Sequence, residues 1–273
     1  MSRMHIAHFT NTYLPTISGV VRSVDSFRRG LSDLGHNVFV FTQGDGDHED
    51  EDPFIFRYLS LKLGLPNEFP ATIPLSPFMD RVIPILKLDV IHAHHPVLLG
   101  QIAANKAEEL DIPLVFTFHT RYREYSHYFP LPQDIVQDFI KDAIDFWIRE
   151  YIKQCDHIVV PSPSMLSILS DVYEHDQNVT VVPTGIDLQP YKGAAGSPIR
   201  KQRGWEDKFV IASVGRLAAE KNWPTLLKTC QQVMQDHRQV ILALIGDGPE
   251  KKKLQKLARS LGIADRVLFL GKL

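Results

Sequence analysis

Cysteine is scarce: the 273 residues hold two, Cys155 and Cys230, too few and too far apart for a disulfide framework or a thiolate metal cage. No apolar run approaches the roughly 20 residues that cross a bilayer, which leaves at most a peripheral position on a membrane surface. The start of the chain lacks the basic, apolar and small-residue succession of a secretory signal. With the two thiols this points to a reducing cytoplasm, with association at the cytoplasmic membrane face left open. An excess of one charge is missing as well. Against 30 Lys and Arg stand 32 Asp and Glu, a formal net charge of −2, and with no basic arm nucleic acid is not an expected partner. The first strand is not followed by Gly-x-Gly-x-x-Gly, which speaks against an ordinary dinucleotide site there.

What is present is an alternation of strand and helix signals. Residues 5–10 are strand-like, and Val20, Val21, Val24, Phe27, Leu31 and Leu34 then recur at helical spacing until Gly35. Further strands are expected at 37–42, 54–58, 90–94 and 114–118, then a long helical period over 133–154, a strand at 157–160, a helix at 164–173 and a strand at 179–182. This βαβ succession predicts a doubly wound parallel sheet within residues 1–187. Residues 188–207, with Gly193, Gly196 and Pro198 and no apolar period, read as a linker. A second α/β domain is expected over 208–273, with strands at 209–214, 240–245 and 267–270 and helices at 223–235 and 250–261. Three strands and two helices make half of such a sheet, whose first strand would stand as a bare apolar edge.

Ligands in open α/β sheets bind beyond the carboxyl ends of the strands, and four segments fall there. The loop of residues 11–19 ends in Ser18 and Gly19, where helix amides point outward and a glycine lets a phosphate or sugar come close. His119 follows the strand 114–118 and opens the polar, aromatic run Thr120-Arg121-Tyr122-Arg123-Glu124-Tyr125; a hydrogen-bonded core histidine is the plainer alternative. After the strand 209–214, Arg216 and Lys221 place two cations on one loop, an arrangement suited to a diphosphate. Gly246-Asp247-Gly248-Pro249 follows the neighbouring strand and opens a helix, with Pro249 at its start. His92, His94 and His95 invite a metal reading. Strand alternation separates His95 from the other two, however, and no Cys or carboxylate cluster completes a site, so no metal is expected. Within residues 59–88, Leu75, Phe78, Met79, Val82, Ile83 and Leu86 form an apolar stripe near Arg81 and Lys87. That stripe suits either packing on the sheet or a membrane interface.

Gly19, the run Phe116-Thr117-Phe118-His119-Thr120, the segment Val182-Pro183-Thr184-Gly185-Ile186-Asp187, the loop from Gly215-Arg216 to Glu220-Lys221-Asn222, and Gly246-Asp247-Gly248-Pro249 occur in one order. In these the chain resembles the family 4 (group 1) glycosyltransferases of GT-B fold, from His5 to its end. Within that family residues 117–130 look most like the lipid-directed members, the diacylglycerol glucosyltransferases and related phosphatidylinositol mannosyltransferases. The resemblance implies two Rossmann-like doubly wound domains, the second incomplete here. It also implies a retaining transfer of a hexose, glucose first among candidates, from a nucleotide sugar such as UDP-glucose to an acceptor hydroxyl of a sugar or a membrane lipid such as diacylglycerol. Arg216 and Lys221 would neutralise the departing diphosphate, so no metal or other cofactor is required. Gly19, Gly246, Asp247 and Gly248 would join them in holding the donor, and His119 would contact the reacting hexose. Tyr13, Thr120, Arg121 and Tyr125 would face the acceptor.

Family members carry, beyond the last strand here, the segment that holds the nucleobase and two glutamates seven residues apart that serve the donor sugar. Their absence from the 273 residues leads us to expect a shortened transferase with weak or no turnover by itself. The alternatives are a non-catalytic module that binds a lipid surface or a partner, and a sugar-nucleotide epimerase of related architecture.

Overall fold

The structure, a computed structural model, describes residues 2–44, 48–62, 70–72, 76–122 and 134–273. These fall into two compact units, Met1–Asp187 and Leu188–Leu273. In chain order the first unit holds β1 (His5–Thr10), α1 (Gly19–Asp33), β2 (Asn37–Gln43), β3 (Ile55–Tyr58), a short antiparallel ribbon of β4 (Ser60–Lys62) and β5 (Pro70–Thr72), and α2 (Pro77–Ile85). There follow β6 (Val90–Ala93), α3 (Leu99–Leu110), β7 (Leu114–Thr117), α4 (Asp134–Ile152), β8 (His157–Val160), α5 (Pro163–Tyr173) and β9 (Val179–Val181). Seven strands pair in parallel in the order β3-β2-β1-β6-β7-β8-β9, the doubly wound arrangement expected from the sequence.

Strand alternation gives the two faces of this sheet different chemistry. Register sets Phe41, Phe9, Ala93 and Phe116 in one row across β2, β1, β6 and β7. Phe9 stacks on Phe41 at 4.7 Å between ring centroids and Phe41 on Phe56 at 5.0 Å. Around this row a core closes with Leu99, Ala103, Ile148 and Tyr151 from α3 and α4. The opposite face carries Val40 and Thr42 of β2, His8 and Thr10 of β1, His92 of β6 and Thr117 of β7, all buried. Helix α1 contributes to this side, with Val21 and Val24 against Val40 and Tyr13. Buried polar side chains on one face of a sheet need partners among themselves, and that requirement shapes the site below.

Three helices are closed by side chains or backbone in the manner their sequences announce. Ser18, Ser76 and Ser162 cap α1, α2 and α5, each oxygen accepting an amide from the first turn. Gly35, at φ +91°, continues the chain out of α1. The apolar stripe over α2 divides: Met79 and Ile83 lie in the sheet core, whereas Phe78 and Ile85 are exposed. The remainder of that stretch, residues 63–69 and 73–75, lies outside the described residues.

In the second unit β10 (Phe209–Val214), α7 (Trp223–Asp236), β11 (Val240–Ile245), α8 (Lys251–Ser260) and β12 (Val267–Gly271) form a parallel sheet in the order β10-β11-β12. Strand β10 lies at its edge with Phe209 and Val214 exposed. One expectation is corrected. The stretch 188–207, read as a linker, belongs to the second unit and holds a 3-10 turn, Gln189–Tyr191, and α6 (Ser197–Arg203). Helix α6 buries no residue, so it leaves no apolar period to read. It is held at its ends by Pro198 in the first turn, Gly204 in the left-handed region at φ +65° and Arg200 Nη1 donating to the Trp205 and Lys208 carbonyls.

The turn from β6 to α3 is among the most tightly built in the first unit. Leu98 stands at φ +54°, a conformation a branched side chain rarely adopts, and a Cβ added to Gly100 would overlap the His95 carbonyl. Tyr151 Oη donates to the Gly100 carbonyl at 3.1 Å. Gly100→Ala is expected to lower stability by about 3 kcal/mol through overpacking against backbone. Urea unfolding of the purified variant checks this, and an unchanged midpoint would contradict it.

Candidate active site

Strands β1, β6 and β7 are parallel neighbours, so their carboxyl ends deliver the loops 11–18, 94–98 and 118–122 to one edge of the sheet. Asn11 ties two of these loops together. Its amide donates to His95 Nδ1 at 3.1 Å and its side-chain oxygen accepts the Leu99 amide, at the start of α3, at 3.1 Å. Gly19 begins α1 with open space where a Cβ would stand. The first-turn amides of α1 thus remain approachable on that side, as an anion site at a helix start requires.

Histidines occupy the polar face beneath α1. Register pairs His8 of β1 with His92 of β6, and alternation brings His94 and then His119 to the same face. His8 Nδ1 lies 2.8 Å from His94 Nε2, and His94 Nδ1 lies 2.9 Å from His119 Nε2. His92 Nε2 meets Thr117 Oγ1 at 2.6 Å. Phe27 of α1 packs edge-on to the His92 ring at 5.3 Å. Burial drives all of these imidazoles toward the neutral form. His8 is pushed down to about 3 by burial and then by the Arg28 charge. His92 and His94 fall well below the ordinary value through burial first, and then through the histidines around them, His8 and His119 for His92 and His92 foremost for His94. Burial also lowers His95 to about 3 and His119 to about 4.

His8, His92 and His94 each bring a ring nitrogen within 4.8 Å of the others, a spacing that a cation could use. The hydrogen bonds among these rings favour shared protons instead. Two nitrogens at roughly 2.0–2.1 Å from one tetrahedral zinc stand well over 3 Å apart, whereas His8 Nδ1 and His94 Nε2 lie at 2.8 Å and His92 Nε2 is engaged by Thr117 Oγ1.

The second unit holds its loops by backbone. Gly215 N–H donates to the Ile245 carbonyl at 2.9 Å, Leu217 N–H to the Asp247 carbonyl at 3.0 Å and Glu250 N–H to the Leu217 carbonyl at 2.9 Å. A Cβ on Gly246 would overlap the Gly215 carbonyl, and one on Gly248 the Leu217 carbonyl, so the two chains run against each other with no side chain between them. Gly246 also stands at φ +135°. Leu217 is fully buried, and buried Trp223 donates its indole N–H to the Arg216 carbonyl at 2.9 Å. The backbone at Arg216 is thereby fixed while its side chain and that of Lys221 are exposed. Asp247 accepts the Gly248 amide at 2.8 Å and Lys251 Nζ at 3.1 Å; these two bonds, the amide first, hold its carboxyl below the usual range.

The residues singled out in the sequence distribute as follows. Gly19, His119 and Thr120 lie at the carboxyl edge of the first sheet, with His119 and Thr120 partly buried. Arg121 is exposed there. Tyr125 lies outside the described residues. Tyr13 is corrected: its ring is 2% exposed among Val21, Val24 and Val40, and its hydroxyl donates to Asp25 Oδ1 at 3.1 Å, which leaves no face for an acceptor. Arg216, Lys221, Gly246, Asp247 and Gly248 share the carboxyl edge of the second sheet, on adjacent strands. There the two glycines serve close backbone contact in the first place. Not foreseen were His8, Thr117, Asn11, Leu217 and Trp223. For His8 a signal existed, a polar residue between Ala7 and Phe9 in the middle of a strand.

Residues 17–190 match Glycosyltransferase Family 4, and residues 197–273 match Glycosyl transferases group 1, a match that includes α6. The alpha-monoglucosyldiacylglycerol synthases of Streptococcus pneumoniae and Acholeplasma laidlawii are similar to 98% of the chain at 31% and 32% identity. The alignments take in 61% of the first protein and 69% of the second, so the chain spans about three fifths of the pneumococcal one. Among solved structures, Anabaena Alr3699/HepE in complex with UDP and glucose gives a TM-score of 0.71 at 19% identity, over 99% of this chain and 70% of that one. That likeness shows the fold.

The histidine layer sets an acid limit on the first unit. An unfolded imidazole takes its proton below about pH 6.5, whereas these take theirs only near 3 to 4 or lower. Between those values the unfolded chain binds more protons. Stability is therefore complete above about pH 6.5 and falls as pH decreases, by up to about 1.4 kcal/mol per pH unit for each such histidine. Urea midpoints at pH 7.5 and 5.5 are expected to differ, the lower pH giving the lower midpoint; equal midpoints would contradict a neutral buried layer.

Proposed function

Because the chain belongs to glycosyltransferase family 4 and has the GT-B architecture, we propose that it transfers a hexose, glucose, from UDP-glucose to the hydroxyl of a membrane lipid such as diacylglycerol, with retention at the anomeric carbon. The glucosyl and lipid parts of this reading rest on one observation above all, the 32% identity to the Acholeplasma laidlawii synthase over 69% of that protein. Exposed Arg216 and Lys221, on a loop whose backbone is fixed by Leu217 and Trp223, are suited to a diphosphate. Charge grows on that group as the glycosidic bond breaks, and cations already in place stabilise it with little rearrangement. Neutralisation by protein cations leaves no step that calls for a metal. Neutral His119 acts on the hexose by hydrogen bonding, since an imidazole pushed down to about 4 is not a cation at physiological pH.

The acceptor side is assigned to the first unit. Among the described residues no helix is long and apolar enough to cross a membrane. Helix α2 presents exposed Phe78, Arg81 and Ile85, with Lys87 just beyond it, while Met79 and Ile83 anchor it to the core. Apolar side chains flanked by cations suit the boundary between headgroups and acyl chains, and we assign this face to contact with the lipid surface.

Two measurements test the reading. In calorimetric titration, Arg216→Ala or Lys221→Ala is expected to weaken UDP and UDP-glucose alike, by roughly 2–5 kcal/mol as for other desolvated charge pairs. His119→Ala is expected to weaken UDP-glucose and spare UDP; equal loss of both ligands would remove the sugar role. In sedimentation with anionic vesicles at low salt, the Phe78→Ser, Ile85→Ser double variant is expected to shift from pellet to supernatant. A wild-type chain that stays in the supernatant would remove the membrane role.

A further inference from the structure

The contacts among His8, His94 and His119 form a staircase. Each step crosses one strand and climbs two residues toward the carboxyl edge: His8 stands opposite His92, two before His94, and the position opposite His94 is Thr117, two before His119. Each step is a ring-to-ring hydrogen bond, of 2.8 and 2.9 Å. A neutral imidazole has one N–H and one lone pair, so donation across the first bond dictates the direction of the second. Two arrangements exist. In one, His8 Nδ1–H donates to His94 Nε2, His94 Nδ1–H donates to His119 Nε2, and His119 keeps its own proton on Nδ1. In the other, every donor is reversed and His119 carries its proton on Nε2.

The inner end of the chain decides between them. His8 Nε2 is buried and, among the described residues, has no hydrogen-bond partner. The first arrangement leaves a lone pair there, the second an N–H. An orphaned buried N–H is the rarer of the two in folded proteins, and the Arg28 charge that acts on His8 favours a lone pair as well.

We infer that His94, backed by His8, is a positioning residue that fixes the tautomer of His119, so that His119 offers an Nδ1–H donor at the carboxyl edge of the sheet. A ring held in this way donates to a hydroxyl oxygen of its ligand and does not accept from it. The functional weight of the relay rests on the assignment of His119 to the transferred hexose; the proton arrangement itself does not.

Long-range proton–nitrogen correlation spectra of the full chain labelled with 15N-histidine read the tautomer without ligand or turnover, with the His119 signals identified by their loss in His119→Ala. In the wild type the His119 proton is expected on Nδ1, with nitrogen–nitrogen couplings across both hydrogen bonds. In His8→Phe, which alters no atom touching His119, the Nδ1–H signal is expected to give way to a mixture dominated by Nε2–H, and His94→Phe to do the same. A wild-type His119 protonated on Nε2, missing couplings, or a tautomer unchanged in folded His8→Phe would overturn the relay. The wild-type spectrum decides even where a variant fails to fold. Should the tautomer be as expected while His119→Ala binds UDP-glucose normally, the relay stands and the sugar assignment falls.

Discussion

Parallel pairing of β1 with β6, with His8 opposite His92, is the constraint on which the first unit turns. A parallel sheet sends all its strands out at one edge, so the loops after β1, β6 and β7 meet there without further instruction. The same register, through the alternation of side chains, forces four histidines onto one buried face. Had β6 slipped by one residue against β1, His92 and His94 would have exchanged faces with Ala93 while His8 and Phe9 kept theirs, and both the row through Ala93 and the hydrogen-bonded chain would be lost. Core and site are two consequences of one alignment.

The imidazoles His119, His94 and His8 in that layer are satisfied in sequence, each ring answering the next, until His8 Nε2 is reached. Burial disfavours charge throughout, so the layer works by direction of hydrogen bonding and not by electrostatic field. The second unit takes the opposite course. Its cations are exposed on a rigid backbone, available to a ligand that brings its own negative charge.

Much of the architecture was legible in the residues, for particular reasons. Apolar runs such as Val-Ile-Leu-Ala-Leu-Ile at β11 announce buried parallel strands, and His119 stands out because it follows such a run. Helix α6 escaped notice because it buries nothing and lives on its end contacts alone. Tyr13 is placed on the acceptor side by the family resemblance alone, whereas the fold closes α1 and β2 over it. The tie between His8 and His94 spans 86 residues, and no local pattern states which strands will be neighbours. At Gly246 and Gly248 the sequence marks a turn into a helix, and the fold adds that the group coming close to them is the polypeptide itself.

That last feature has a bearing on divergence. Where two loops are joined amide to carbonyl, with nothing but glycine at the closest points, the spacing between them is written in the main chain and owes nothing to the side chains that project from either. Substitutions at Arg216, Lys221 or Asp247 can then alter what is bound without altering where the binding groups stand. A frame of this kind lets one scaffold be refitted for new ligands by single replacements, while insertion or deletion of even one residue in either loop would break it.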